Sequence, residues 1–380
     1  MTLSFKEDHI SQIPALMMLE KVGYTYLTPA EAMELRGGNA SNVLLEPILR
    51  EQLAKINTVQ VSSQRTTVFS EQNITAGIEA LKNLPMAEGY MTASQVAYDL
   101  LTAGKTLEQI VDGDKKSYVM QYIDWKHIEN NAFHVTEEFA VSRTGMSDTY
   151  RPDIVMFVNG IPLCVIECKR PDIKDSLKQA ISQHLRNQKE DGIRSLYVYS
   201  ALLLATNVNE VSYATTATPE KFWSKWTEQF ADKNGEELYR YKLAEKVNEK
   251  RINPKMFSER YSYVRTDIEK KYDAPLTPSV QDAYIYNLCR PERLLGLMYG
   301  FTLYDDGIKK VARYQQFFAV EKVMERVRNI EGGKRRGGVI WHTQGSGKSL
   351  TMVLLAQAIL LDNGLLPESH PVRISRSIGK

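Results

Sequence analysis

Cysteine is scarce in this chain of 380 residues: Cys164, Cys168 and Cys289 are the full complement. The first two lie four apart on a segment of strand character, which sets their Cβ atoms ~13 Å apart by the rise per residue, too far for a disulfide. A disulfide framework is excluded, and a reduced, cytoplasmic protein is expected. An excess of either charge is missing too, with 48 Lys and Arg against 46 Asp and Glu. Any grip on nucleic acid must therefore come from local clusters. No basic segment followed by an apolar one opens the chain, and no apolar run has transmembrane length. The longest, "SLTMVLLAQAILLDNG", is broken by Thr351 and Gln357 and stopped by Asn363 and Gly364; it reads as a buried helix with a C-cap, and no membrane role is expected. Repeats, low-complexity segments, a Gly-x-Ser-x-Gly elbow and a catalytic cysteine setting are all absent. None of the six histidines stands at metal-ligand spacing from a cysteine or another histidine, so they read as surface or core residues.

What is present is an ordinary globular composition, 43% hydrophobic and 25% charged, in a chain long enough for two or three domains. Helical spacing of Ile10, Ile13, Leu16, Met17 and Leu19 marks a helix over 5–22, followed by a short extended "KVGYTYLTP". Three further helices are read in "NVLLEPILREQLAKIN", "QNITAGIEALKNL" and "TASQVAYDLLTAG". From "SYVMQYIDW" to "VIECKR" the pattern turns to short β-branched and aromatic runs, a sheet; then come a helix over about 174–190, a strand "SLYVYS" and an apolar run "ALLLATN". Helices, antiparallel strands, helix, strand is the order of an α/β fold with a mixed sheet. Charged, aromatic peripheral helices close a first domain, 1–265, and a second unit occupies 266–380.

In "RPDIVMFVNGIPLCVIECKRP", an alternating hairpin around Asn159 and Gly160, an aspartate, a glutamate and a lysine sit in the most apolar part of the chain. Charged side chains are rarely buried unless paired or bound to a metal. A regular two-residue turn would put Asp153 opposite Ile166 and turn Glu167 to the other face; the two carboxylates share a face only with a three-residue turn, or with a bulge and Gly160 in the left-handed region. Glu167 and Lys169 share a face in any register. If the three converge, two carboxylates hold a hard divalent cation, Mg²⁺ suiting such a sparse site because it keeps several waters, and the lysine stabilises a phosphate or water. The plain alternative is a hairpin in which Lys169 pairs with a carboxylate at the sheet edge.

Asp153, then Glu167-Cys168-Lys169 at the end of the next strand, resembles the PD-(D/E)xK nuclease motif, with Pro152-Asp153 as its Pro-Asp. "VNGIPLCVIECKRP", a following helix with a glutamine, and "LLLATN" are together similar to the N-terminal domain of the motor (R) subunit of type I restriction endonucleases. That resemblance implies a PD-(D/E)xK fold, a mixed central sheet flanked by helices. It also implies Asp153 and Glu167 as metal ligands, Lys169 as stabiliser, and a glutamine from a Gln-x-x-x-Tyr pattern. Here the glutamine is Gln183, and Asn187 stands where the tyrosine would fall. By helical period, Ser176, Gln183 and Asn187 form a polar stripe about 100° from the side of Ile173, Leu177, Ile181, His184 and Gln188. Related nucleases add a helical glutamate to the metal site, for which Glu7 and Glu20 are candidates; the alternative is a solvated helix face.

"WHTQGSGKSLTM" is a phosphate loop: Gly345, Ser346 and Gly347 wrap an anion, Lys348 reaches the β/γ-phosphates, Ser349 ligates Mg²⁺, and a helix opens here, with "GGVIW" as the strand before it. His342 replaces the first glycine of the strict pattern, as in the superfamily 2 helicase version that the loop resembles. "RYQQFFAV", with Gln316, looks like the motif by which such motors read adenine; alone it is an amphipathic helix. A nuclease signature followed by an ATP site again resembles the type I restriction motor subunit. By that resemblance the substrate is double-stranded DNA, the cofactors are Mg²⁺ and ATP, and the partners are methyltransferase (M) and specificity (S) subunits. No Asp-Glu pair follows before the chain ends in "RSIGK", so the RecA-like lobe is read as truncated and no ATP turnover or translocation is expected. The basic "GGKRRGG" touches DNA phosphate or is a solvated linker. An ATP-dependent repair nuclease-helicase and an inactive remnant that only binds DNA or partner subunits are the alternatives.

Overall fold

A computed structural model describes residues 8–62, 65–258, 260–332, 334–335, 337–341 and 347–362. Its centre is a six-stranded mixed sheet whose spatial order follows the chain: β1 (Thr25–Tyr26), β2 (Phe133–Glu137), β3 (Ile154–Val158), β4 (Ile161–Cys168), β5 (Leu202–Thr206) and β6 (Val211–Ala214). The β1–β2 and β4–β5 pairs are parallel and the others antiparallel. Every residue of β3, β4 and β5 is buried, as near-continuous apolar strands require when helices cover both faces. Helix α1 (Ile13–Lys21), entered through a π-helical turn at Asp8–Gln12, packs on β2, and α5 (Ser176–Asn187) packs on β4 and β5.

Between them come α2 (Glu46–Ile56), α3 (Glu71–Lys82) and α4 (Tyr90–Ala103): α2 lies inside the stretch read as helical, and α3 and α4 start one and two residues ahead of theirs.

The hairpin β3–β4 turns on Asn159 (φ 51°) and Gly160 (φ 80°), the left-handed pair of a two-residue hairpin. Gly160 is obligatory here, because a Cβ would lie 2.5 Å from the Leu45 carbonyl oxygen ahead of α2. The Asn159 side chain locks the turn, accepting from the Ala132 amide (2.7 Å) and donating to the Tyr122 carbonyl (2.9 Å). The register then slips: Pro162 faces Phe157 but Cys164 faces Met156, leaving Leu163 as the extra residue of a bulge. Pro162 has no amide to lose from the ladder, so a bulge there costs little.

Three expectations about strands need correction. "SLYVYS" is not a strand: Arg194–Tyr197 is a short helix, α6, and the strand beside β4 is Leu202–Thr206. Leu196, Tyr197, Val198 and Tyr199 are buried in a helical turn, and wrapped burial gives the same apolar, aromatic composition as a strand. "SYVM" pairs outside the central sheet, as Asp114–Met120 against Lys105–Val111 in a separate two-stranded hairpin. Finally, 337–341 form no strand, and Val339 and Trp341 are 92% and 91% exposed. A parallel strand needs a neighbour, and among the described residues none pairs with this one.

The division near residue 265 rests on sequence, and packing runs across it. Lys21, which donates to the Val247 carbonyl of α7 (Lys233–Asn248) at 2.6 Å within the first unit, also donates across the division to the Tyr272 hydroxyl at 2.9 Å; the Tyr24 hydroxyl donates to the Cys289 carbonyl at 2.8 Å, and Ser11 and Thr206 both donate to Gln281 Oε1 at 3.0 Å. Next come α8 (Pro291–Gly300), a hairpin of Thr302–Asp305 with Ile308–Val311, and two packed helices, α9 (Tyr314–Arg328) and α10 (Lys348–Leu361). No helix among the described residues is long and apolar enough to cross a membrane.

Candidate active site

The bulge at Leu163 decides where the charges of the hairpin go. Beyond it Ile166 faces Ile154, so the next step of the ladder sets Glu167 across from Asp153, the residue before β3. The two carboxylates meet through a two-residue turn followed by a bulge. Asp153 Oδ2 accepts from the Cys168 amide at 2.7 Å and pairs with Lys169 Nζ at 3.4 Å, and Lys169 also donates to the Cys168 carbonyl at 2.8 Å. The π-helical turn ahead of α1 reaches the same point: Gln12 Nε2 donates to the Asp153 carbonyl at 2.7 Å. Asp153, Glu167 and Lys169 are thus brought together, all but closed to solvent.

Glu167 is fully buried at the end of β4, in register with Ala205 of β5, which lies under the apolar side of α5. Burial first, and then the neighbouring Asp153 carboxylate, hold its carboxyl well above the usual carboxylate range, with Lys169 acting the other way. Oε1 accepts from Asn187 Nδ2 at 3.1 Å, while Oε2 has no hydrogen-bond partner among the described residues. A buried carboxylate oxygen without a donor is costly, and a cation beside it removes the cost. Two carboxylates are what the site offers, since among the described residues no group of three or more His, Cys, Asp or Glu converges. That donor set fits Mg²⁺, which takes few protein oxygens and keeps waters.

The other expected residues sit as follows. Gln183 is half-buried one helical turn before Asn187, and its amide makes no hydrogen bond among the described residues. Glu20 is buried elsewhere, accepting from Asn253 Nδ2 at 2.6 Å, with neither Asp153 nor Glu167 among its partners. Glu7 lies outside the described residues, as do Gly345 and Ser346. Gly347 (φ 83°) caps α10, Lys348 is that helix's first residue, and Lys348 and Ser349 are exposed. Gln316 meets this cap, its Nε2 3.4 Å from the Gly347 carbonyl, while its Oε1 accepts from the Arg313 amide at 2.9 Å.

Sequence reasoning placed Asn187 in the polar stripe but gave it no partner, and missed Tyr197 and Glu137. Glu137 ends β2 in register with Ile154; burial lifts its carboxyl to about 7, and the Tyr26 hydroxyl donates to it at 2.7 Å. Its lone signal was a charged residue closing a short strand of aromatic and β-branched residues.

The family model for the N terminus of type I restriction enzyme R proteins matches residues 4–222. The chain belongs to that family. A second model, SWI2/SNF2 ATPase, matches residues 315–369, which include Gln316 and α10. Among curated relatives, a putative MjaIXP type I restriction enzyme endonuclease subunit of Methanocaldococcus jannaschii is 25% identical over 360 residues, 93% of this chain and 31% of the relative. The HindI endonuclease subunit of Haemophilus influenzae is 26% identical over 93% of this chain and 30% of its own length. A third, the putative MjaVIIP subunit of M. jannaschii, is 30% identical over 63% of this chain and 19% of its own length. The chain therefore spans under a third of these relatives, and its family match covers β1 to β6 with the whole of the site above.

Proposed function

We propose that this chain carries the nuclease site of a type I restriction subunit, cutting double-stranded DNA with Mg²⁺ held by Asp153 and Glu167. The observation that carries the reading is the bulge-made meeting of Asp153, Glu167 and Lys169 around an unpartnered carboxylate oxygen. A bound Mg²⁺ supplies charge neutralisation at a phosphodiester and a water of lowered pKa. Asp153 is held for that task by the Cys168 amide, and Glu167 by Asn187. The Lys169 ammonium balances Asp153 and sets a donor where phosphate charge grows, and Gln183, on the Asn187 side of α5, orients water or phosphate beside it.

The family match and the restriction-enzyme relatives support restriction over repair, and with it methyltransferase and specificity subunits as partners in the cytoplasm. Binding of ATP by Gln316, the phosphate loop with Gly345, Ser346 and Gly347, Lys348 and Ser349 is supported by the SWI2/SNF2 match. The reading is tested by incubating supercoiled DNA and Mg²⁺ with the chain assembled with methyltransferase and specificity subunits, in wild-type and Lys169→Ala forms. Nicking that needs the metal and falls about 100-fold or more in the variant is expected. Cleavage that persists in Lys169→Ala, or in a chelator, overturns it.

A further inference from the structure

The position that holds tyrosine in the related pattern is Asn187 here, yet a tyrosine hydroxyl stands beside it all the same. It comes from α6. Asn187 Nδ2 donates to Glu167 Oε1 (3.1 Å) and to the Tyr197 hydroxyl (3.4 Å), while Arg186 donates to Asn187 Oδ1 (3.1 Å), which fixes the amide with its NH₂ toward the glutamate. The hydroxyl meets His184 Nδ1 at 3.0 Å, and His184 Nε2 meets the Leu204 carbonyl at 2.9 Å. A carbonyl only accepts, so Nε2 carries the imidazole hydrogen and Nδ1 must accept. The Tyr197 hydroxyl then donates to Nδ1, and its lone pairs are left for Asn187. The direction of each bond in this file is therefore fixed: Asn187 donates on one side to Glu167 and on the other to Tyr197, which donates to His184, which donates to the Leu204 carbonyl. Asn187, His184 and Tyr197 are all fully buried, so bulk solvent offers none of them another partner.

We infer that Asn187 and Tyr197 are positioning residues that hold Glu167 in a one-oxygen presentation, Oε1 occupied by the amide and Oε2 offered to the cation. Tyr197 acts through Asn187, whose amide it meets at 3.4 Å. The arrangement explains why "SLYVYS" is bent into a helical turn when its composition suits a strand: as a helix, α6 brings Tyr197 to the end of α5. Helix α5 also carries His184 one turn before Asn187, so one helix face supplies both neighbours of the hydroxyl.

This inference rests on the reading of Asp153 and Glu167 as a metal site, and the test separates the two. Mn²⁺ affinity is measured by calorimetry on the wild-type chain, Asn187→Leu, Tyr197→Phe, their double variant, His184→Leu and Tyr199→Phe. The last is a control: Tyr199 is buried two residues on, and its hydroxyl bonds the Leu81 carbonyl at 2.6 Å, apart from the file. Loss of a group that orients a metal ligand costs about 10-fold or more in affinity, which is expected for Asn187→Leu. Tyr197→Phe and His184→Leu weaken binding by a smaller factor, Tyr199→Phe leaves it unchanged, and the double variant is no weaker than Asn187→Leu alone. Metal-free thermal melts show which variants are folded; His184→Leu keeps the test open should Tyr197→Phe not fold. Wild-type binding with Tyr197→Phe and His184→Leu unaffected, or losses that multiply in the double variant, overturns the inference and leaves the metal site standing. No Mn²⁺ binding by wild type overturns both.

Discussion

Glu137 and Glu167 are buried carboxyls with one oxygen each that no donor reaches among the described residues, and they differ in what removes the cost. Glu167 has the metal reading. For Glu137 the cost is met by keeping the proton. Its carboxyl sits at about 7 in the fold against an ordinary 4.5, so the unfolded chain releases its proton first as pH rises. Stability is therefore highest below 4.5, falls between 4.5 and 7, and levels above. Glu137→Gln keeps an acceptor for Tyr26 and removes that fall, worth up to ~3 kcal/mol. The difference between urea midpoints at pH 5 and pH 8 in metal-free buffer should shrink in the variant, and an unchanged difference would contradict the assignment. At this scale the sequence was legible where a motif named the residue, as for Asp153, Glu167 and Lys169. Tyr197 was not, because nothing local ties position 197 to position 167; only the crossover from α5 to β5 brings them together.

Among the elements, the β3–β4 hairpin carries most of the site's geometry. Its two strands and their turn were readable from alternation and from Asn159-Gly160, and register arithmetic required a turn or bulge that adds one residue. Where the bulge falls was not readable, since Pro162 permits it and packing selects it. Gly160→Ala meets two penalties at once, a left-handed φ of 80° and a Cβ 2.5 Å from the Leu45 carbonyl. A loss of about 3 kcal/mol or more is expected in denaturant unfolding, with metal binding lost alongside. A loss under about 1 kcal/mol, the ordinary cost of alanine in that conformation, would show that α2 yields. Helices α2, α3 and α4 were legible because their apolar spacing is long and regular. Helix α6 was not, because four residues cannot display a period.

Across the whole molecule, the region beyond 265 shares one apolar core with the sheet, and buried polar bonds join the two as well. Lys309, on the hairpin after α8, reaches the Ser200 carbonyl at 2.9 Å between α6 and β5, and burial lowers its ammonium from 10.5 to about 7. Here the folded chain loses its proton first, so this group's contribution rises with pH from about 7 to 10.5. Lys309→Met should be more stable than wild type at pH 7, on the order of 3 kcal/mol, and should flatten that rise in thermal melts. A variant less stable at pH 7 would mean that the bond to Ser200 outweighs the buried charge. The sequence was read as two units along the chain, and it could not show this joint, which long-range packing creates.

The central claim is that Asp153 and Glu167 form one metal site. Calorimetry of Mn²⁺ on the intact chain and on Asp153→Ala with Glu167→Ala tests it most directly. Binding by wild type that disappears in the double variant is the predicted result. Equal binding by both, or none by either, would leave a hairpin whose Lys169 merely pairs with Asp153, and the nuclease reading would fall.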